Sequence, residues 1–337
     1  MAKTPSLVYQ NEKAIKVIIA IGESKRDGKN KGIYTEKIYS YKTIQNTLSV
    51  CNDFARFCKK EFKIKYIYDY KVEHYLAYLQ QKFNENCSIG HLKNIETGLK
   101  KLQIAMRKQA EKNLKTPIIF CPEERVYNSK INKSISIDRS VTREEAQYII
   151  NNIKSEEVKN ALKLQLNLGL RARESVKLKP AHVDLLNGEI NIKSGKGITK
   201  GGRARVIEIP DEFKDELRTM IIDVPLDKPI VNIPIDRVRK SLLRKGRKLV
   251  VKTSGCHMFR HTFARERFNS LLGDDVDEGR VLLNYMLKQR SLGRRPHNGI
   301  TKEYREIYQK VQMAMNIVHS ELGHGKCRYD LAEVYLK

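Results

Sequence analysis

Apolar side chains recur along most of this chain with the spacing of helices. Between residues 40 and 106, three stripes of apolar residues follow one another, near Leu48, Val72 and Ile95. Each stripe repeats every three or four positions, which predicts three or four short helices packed into a small bundle. Residues 1–39 are polar and lysine-rich, and we predict a basic arm or an appended element there.

A stretch without periodicity separates this bundle from a second domain. Two prolines and a run of asparagine and serine predict a linker over residues 116–140, so that the bundle spans residues 40–115. The second domain, residues 141–337, opens with Thr142 and Glu145, whose spacing is that of a helix-capping box.

The second domain combines further helices with one hairpin. Residues 161–168 alternate between apolar and polar as in a strand, but they also fit a helix that Gly169 would end, and we predict the helix. Residues 189–193 and 205–209 alternate on either side of a glycine-rich turn, which predicts a β-hairpin. The expected fold is therefore mainly α with a small β-sheet, an α+β class.

The composition indicates a polyanionic partner. The chain has 65 lysines and arginines against 39 aspartates and glutamates, a net charge of +26. Phosphates that are neutralised by basic side chains release condensed counterions, so nucleic acid is the leading candidate. On charge alone, a generic basic protein such as an RNA-binding factor remains the alternative.

Cysteine spacing and hydropathy bear on metals and membranes. The six cysteines form no C-x-x-C pair and no cluster with zinc spacing, so we predict reduced thiols in a cytoplasmic protein. The longest apolar run near the N-terminus, residues 17–21, is too short for a membrane span or a signal peptide. We expect neither a metal site nor a membrane partner.

Four clusters in the second domain carry residues that suit phosphate chemistry. The sequence G-L-R-A-R-E sets Arg171 after a glycine turn, with Glu174 in reach to orient it. A lysine at the tip of the predicted hairpin, Lys200 or Lys196, could deliver a proton. Taken alone, such features are more often a surface salt bridge and a solvated basic turn.

The third and fourth clusters lie nearer the C-terminus. In H-M-F-R-H, the residues His257, Arg260 and His261 share one helix face, and an imidazole beside a guanidinium near a helix N-terminus suits a phosphate. The sequence L-G-H then presents His324 on a glycine turn, and a capping-box pattern precedes Tyr335 on a short helix. Core packing is the alternative for each of these side chains.

In this order, the four clusters resemble the motifs of the tyrosine recombinases, the phage integrase family. That family has G-L-R-x-x-E, a hairpin lysine, H-x-x-R-H, L-G-H and a near-terminal tyrosine, and its core-binding domain is similar to the predicted bundle. Its tyrosine usually follows the L-G-H histidine by nine residues, whereas Tyr335 follows His324 by eleven and Tyr329 by five.

The resemblance implies a site-specific DNA recombinase or integrase. Such an enzyme cleaves and rejoins strands through a 3′-phosphotyrosine, for integration or excision of a mobile element, without metal, ATP or another cofactor. The arginines would hold the phosphate, the tyrosine would attack it with His257 as base, and the lysine would protonate the leaving oxygen. The implied catalytic residues, with Glu174 and His261 in support, are Arg171, Lys200, His257, Arg260, His324 and Tyr335.

The family also implies partners. The first partner is double-stranded DNA, which is held in C-shaped clamps formed by the core-binding and catalytic domains. Four subunits would assemble on two duplexes, and accessory DNA-bending or directionality factors would take part. The family further implies a prokaryotic, viral or plasmid-borne context. The alternatives are a type IB topoisomerase-like enzyme that relaxes DNA and a DNA-binding protein without activity.

A basic run between residues 237 and 252 is a candidate for contacts to the DNA backbone. It contains eight lysines and arginines and no acid, while Val238, Leu242 and Leu243 form an apolar stripe for packing. The residues expected to bind DNA are Arg239, Lys240, Arg244, Lys245, Arg247 and Lys248.

The 64 positions from Arg260 to His324 exceed the family's usual gap and predict an insertion at about 269–312. Its apolar centre at 281–287 and a second stripe up to Val311 predict helices rather than disorder. A basic loop at 288–297 lies between them, and we expect this element to contact DNA or a neighbouring subunit. The acidic residues at 274–278 are expected to form a solvated loop.

The assignment of the general acid can be tested directly. A 5′-phosphorothiolate substrate has a leaving group that needs no proton, so it should restore cleavage to the Lys200→Ala variant. Cleavage rates on the sulfur and oxygen substrates measure this. Rescue of Lys196→Ala in place of Lys200→Ala would assign the role to the other lysine.

Overall fold

The computed structural model describes residues 4–110, 118–127, 140–192, 198, 204–249 and 255–337. It is mostly helical with one three-stranded sheet, which confirms the predicted fold class. The chain divides into two compact units, Met1–Ile135 and Ser136–Lys337.

The first unit is a helical bundle around one core. The three predicted stripes correspond to α3, α4 and α5, and Ile95 and Leu99 of the third stripe are buried as expected. Two of these helices are longer than predicted, with 22 residues each. The helices of this unit are α1 (Leu7–Lys16), α2 (Lys25–Asn30), α3 (Tyr41–Phe62), α4 (Val72–Asn84) and α5 (Ile89–Ala110).

The segment before residue 40 is part of this core, which corrects the prediction of an arm or appended element. Helix α1 packs on α3 and α5 and buries Leu7, Ala14 and Ile15. The apolar residues of this one short helix were too few to stand out against the surrounding lysines. Described residues of the predicted linker also pack here, because Phe120 is buried and its backbone N–H donates to Gln103 Oε1 at 2.7 Å.

The second unit surrounds its small sheet with helices. The capping box of Thr142 and Glu145 is present, and residues 156–168 form the helix that was preferred over a strand. Its elements are α6 (Arg143–Asn151), α7 (Glu156–Leu168), α8 (Ala172–Ser175), β1 (Val183–Asp184), β2 (Glu189–Ile192), β3 (Arg205–Glu208), α9 (Asp211–Ile221), α10 (Ile235–Lys248), α11 (His257–Leu272), α12 (Val276–Ser291), α13 (Arg305–Glu321) and α14 (Tyr329–Tyr335).

The predicted hairpin is confirmed as an antiparallel pair. Strand β2 pairs with β1 on one side and with β3 on the other, with Ile190 opposite Ile207. Both isoleucines are buried, so this face of the hairpin covers a core. The hairpin tip, including Lys196 and Lys200, lies outside the described residues.

Helix α11 belongs to two apolar cores at once. Met258 and Phe259 lie in a core with α7 and the sheet, whereas Phe263 and Phe268 lie in a core with α12, α13 and α14. Apolar residues therefore surround this helix instead of forming one stripe, as expected for a helix buried on all sides. The first turns of α11 are thereby fixed in position.

The predicted insertion is folded and helical. Helix α12 and the first part of α13 account for it, and Leu283, Met286 and Val311 are buried in the second of these cores. In α10 the predicted packing stripe is only partly correct. Val238 and Leu242 are buried one turn apart, but Leu243 is 48% exposed because the next residue on a helix points about 100° away.

Substitution of Gly169 tests how closely the end of α7 packs against α11. Gly169 ends α7 with φ +57°, and a Cβ there would lie 2.4 Å from Cδ1 of Phe263. We expect Gly169→Ala to lower the free energy of unfolding by about 3 kcal/mol, from backbone strain plus overpacking. Gly293 also has positive φ but no atom near its Cβ position, so Gly293→Ala should cost about 1 kcal/mol. Urea unfolding of the full chain measures both, and equal losses would contradict the packing argument.

Candidate active site

Five of the six predicted catalytic residues come together in the second unit. Arg171 is the N-cap of α8, and His257 and Arg260 lie in the first turn of α11. His324 follows the C-terminal turn of α13, and Tyr335 is the last residue of α14. The sixth, Lys200, lies on the part of the hairpin that is not described.

The ring of Tyr335 lies among histidines. It stacks on the ring of His261 at 4.3 Å between centroids, with an interplanar angle of 24°. The rings of His324 and His257 follow at 5.1 and 6.4 Å, and Arg260 Cζ lies 5.9 Å from the centroid of the tyrosine. Tyr335 is 7% exposed, so contacts on several sides fix the position of the phenol.

Tyr329 has different neighbours. It begins α14 and is not in a loop, as the sequence had indicated, and Arg290 of α12 lies 5.7 Å from its ring centroid. The predicted capping box is also wrong. The carboxylate of Asp330 accepts two hydrogen bonds from the guanidinium of Arg328, at 2.8 and 2.7 Å, because that arginine directly precedes the helix.

Arg260 is a fully buried cation of the site, with 1% exposure. Its guanidinium donates to the carbonyl oxygens of Gly169 and Leu322. Burial, and then the charge of nearby Arg171, lower its pKa to about 10, so it remains protonated at neutral pH.

Arg260 also contributes to the protonation state of His324. Its Nη2 lies 3.2 Å from Nε2 of His324. A guanidinium can only donate, so the roles of the two groups in this contact depend on the tautomer of the imidazole. Burial, followed by the charges of Arg260 and Arg171, lowers the pKa of His324 to about 3. The ring is therefore neutral at physiological pH.

Glu174 accepts two hydrogen bonds from Arg171. Its Oε1 accepts from Arg171 Nη1 at 2.9 Å and its Oε2 accepts from the Arg171 backbone N–H at 2.8 Å. Burial raises the pKa of this carboxyl, but the charges and hydrogen bonds of Arg205 and Arg171 outweigh burial and hold it below its ordinary value. Glu174 is therefore ionised, and Arg171, with 27% side-chain exposure, is left as the most accessible cation beside it.

Two buried residues of the site were missed in the sequence. Arg205 pairs with Glu174 at 2.7 Å, and the strand alternation carries a signal for it, since Arg205 shares the inward face of β3 with Ile207. His319 is fully buried at a ring distance of 6.0 Å from His324, and burial lowers its pKa to about 4. Helical spacing alone gave no reason to select His319.

The predicted DNA-binding residues lie together on α10. Arg239, Lys240, Arg244, Arg247 and Lys248 are exposed, and Lys245 is half-buried. The solvent-facing side of this helix is therefore almost entirely basic.

The described residues also bear on metals and membranes. Within the described ranges, no group of three or more His, Cys, Asp or Glu side chains could hold a metal ion. Asp275 of the acidic stretch pairs with Lys310. None of the described helices combines the length and the apolar character that a membrane crossing requires.

Part of the second unit matches a known protein family. Residues 139–276 match the model of the phage integrase family, a range that includes Arg171, His257 and Arg260. The tyrosine recombinase XerA of Saccharolobus solfataricus is 30% identical over 118 residues, which cover 35% of this chain and 39% of that protein. XerA of Thermococcus kodakarensis is 30% identical over 166 residues, 46% of this chain and 55% of that protein. The chain thus aligns with about two fifths to just over half the length of these relatives.

Solved structures share the fold. The XerH site-specific recombinase, bound to its difH substrate in a pre-cleavage complex, covers 100% of this chain and 94% of its own, with 16% identity and a TM-score of 0.56. The Tn1549 transposon integrase in complex with circular intermediate DNA covers 97% and 94%, with 12% identity and a TM-score of 0.51. These structures show the fold, whereas the family match and the two relatives confirm the resemblance seen in the motifs: residues 139–276 of this chain are similar to the phage integrase family, the tyrosine recombinases.

Proposed function

We propose that this protein is a site-specific DNA recombinase that cleaves and rejoins DNA strands through a 3′-phosphotyrosine on Tyr335. One observation carries the proposal. A phenol, two guanidinium groups and several imidazoles meet at one place, although their motifs are spread over 165 positions from Arg171 to Tyr335. The curated relatives are named tyrosine recombinases, which agrees with this assignment.

The first step is an in-line displacement at phosphorus. The phenol oxygen of Tyr335 forms a bond to the phosphorus, and the bond to the 5′ oxygen breaks. The phenol proton passes to His257, and Lys200 gives a proton to the departing 5′ oxygen. Rejoining reverses these transfers, and because the phosphotyrosine keeps the energy of the phosphodiester, the cycle needs no ATP.

Arginine charge stabilises the transition state in this proposal. A phosphodiester repels nucleophiles by its negative charge, and Arg171 and Arg260 would hold its non-bridging oxygens through the pentavalent state. His324, neutral at physiological pH, would donate a hydrogen bond to the same phosphate. The guanidinium groups take the place that a metal ion holds in other phosphoryl-transfer sites, so the reaction is expected to proceed without metal.

Binding of double-stranded DNA completes the proposal. The first unit would act as the core-binding domain, and the basic face of α10 would contact the backbone. Four subunits would hold two duplexes, with accessory DNA-bending or directionality factors setting the direction, and the insertion with α12 would touch DNA or a neighbouring subunit. Products from substrates with two sites separate recombination from simple relaxation.

The nucleophile is tested by removing one hydroxyl at a time. Tyr335→Phe should abolish covalent adducts on a suicide substrate while leaving DNA affinity within about threefold, because packing of the ring is kept. Tyr329→Phe, the matched control, should retain adducts. Gel analysis and mass mapping of the linked peptide measure this, and adducts in Tyr335→Phe that are absent in Tyr329→Phe would reassign the nucleophile.

The same assay tests the role of metals. Adduct formation by the unchanged protein should be equal in EDTA and in magnesium, since the phosphate charge is met by arginine. A loss of adducts in EDTA that magnesium restores would contradict this part of the proposal.

The basic face of α10 is tested by the salt dependence of binding. Replacing Arg244 and Arg247 with Gln should weaken binding to all DNA sequences alike and reduce the slope of log affinity against log salt by about one unit for each phosphate that is no longer neutralised. Lys154→Gln with Lys228→Gln, two exposed lysines on other elements, is the matched control. An unchanged slope in the α10 variant would remove this helix from the DNA interface.

A further inference from the structure

Arg205 occupies a position that strand patterning reserves for an apolar side chain. In β3 the inward positions are Arg205 and Ile207, and the outward positions are Val206 and Glu208. The side chain of Arg205 is only 1% exposed. Removing a guanidinium from water is costly unless strong partners replace the water, so the contacts of this residue need an explanation.

The partner of Arg205 is the carboxylate that orients Arg171. Arg205 Nη2 lies 2.7 Å from Glu174 Oε2, and Nη1 lies 3.4 Å from Oε1. The same carboxylate binds the guanidinium and the backbone N–H of Arg171. One negative charge is therefore shared between two arginines, one in the strand and one at the site.

Arg205 also supports the turn that carries His324. A Cβ at Gly323 would lie 3.3 Å from both Cδ and Nη1 of Arg205, so the arginine side chain lies directly against this glycine. The turn is itself closed by a hydrogen bond from the His324 backbone N–H to the His319 carbonyl oxygen at 2.8 Å. Arg205 thus contacts Glu174 of α8 and the turn after α13 at once.

The charge balance explains why a cation is useful at this position. With Glu174 shared, the group of Arg171, Glu174 and Arg205 has a net charge of +1. Without Arg205, Arg171 and Glu174 would form a neutral pair, and the carboxylate would offset the charge that Arg171 offers to a phosphate. Arg205, the buried arginine of the pair, therefore preserves the positive electrostatic potential at Arg171.

We infer that Arg205 is a positioning residue of the reaction, which keeps the net charge beside Arg171 positive toward the phosphate and supports the turn of His324. This inference rests on the proposed function. Arg205 touches no substrate in this role; it acts through Glu174 and Gly323.

The central experiment compares variants in single-turnover cleavage of a suicide substrate at saturating protein. Arg205→Met should slow cleavage about 100-fold while DNA affinity changes less than about threefold. Arg205→Met combined with Glu174→Gln removes one charge of each sign, so it should cleave about tenfold faster than the single variant. If Arg205 had a purely structural role, adding Glu174→Gln to Arg205→Met would not raise the cleavage rate of the folded protein.

Arg267 provides the matched control. It is also largely buried, with 18% side-chain exposure, and it pairs with Glu321 at 3.1 Å and with Glu208, away from Glu174. Arg267→Met should keep its cleavage rate within about threefold of the unchanged protein. Equal rates for Arg205→Met and Arg267→Met, or a double variant no faster than Arg205→Met, would overturn the inference.

Separate controls cover a variant that does not fold and a failure of the proposed function. If Arg205→Met does not fold, the variants Arg205→Lys and Arg267→Lys are compared instead. Lysine lacks the fork that bridges both carboxylate oxygens, so Arg205→Lys should slow cleavage about tenfold, whereas Arg267→Lys should not. If the unchanged protein forms no adduct, the proposed function fails, and orthovanadate becomes the probe. Thermal stabilisation by orthovanadate should then occur in the unchanged protein and in Arg267→Met but be absent in Arg205→Met; equal stabilisation in all three would reject the role of Arg205.

Discussion

Burial of Arg260 is the constraint around which the site is built. Its guanidinium can only donate hydrogen bonds, and a buried charge without partners would cost several kcal/mol. The carbonyl oxygens of Gly169 and Leu322 therefore have to face it, together with His324. These two carbonyl groups lie at the C-terminal ends of α7 and α13, and Arg260 itself lies on α11. The hydrogen bonds that Arg260 needs therefore hold three helices together at the proposed site of the reaction.

The neighbouring charges follow from the same constraint. Three guanidinium groups, those of Arg171, Arg205 and Arg260, lie near the carboxylate of Glu174. Burial, followed by the charges of Arg260 and Arg171, lowers the pKa of His324 and disfavours further protonation of the site. A phosphate would supply the missing negative charge, so the features that make the unbound site electrostatically costly also make it suited to bind a phosphodiester.

The insertion has a structural consequence in addition to any contact with a partner. Helix α14 has seven residues, too few to be stable alone, and it packs on α11 and α12. Leu283 and Met286 of α12 share a core with Tyr335 and Leu336. The longer connection between Arg260 and His324 thus contributes apolar side chains to the core that holds the tyrosine.

Local patterns of residues were enough to predict the secondary-structure elements and the order of the chemical groups. Periodicity identified α3 to α5, the capping box located α6, and alternation located the hairpin, because these signals depend on residues within a few positions of each other. The motif order led to the family and to five residues that the fold brings together. Three features became visible only in the folded chain: Tyr335, at an unusual spacing, lies beside His261 and His324, Arg205 pairs with Glu174, and α1 belongs to the first core. These contacts join residues far apart in the chain, and their energy depends on burial and on shared charge, neither of which a local pattern of residues records.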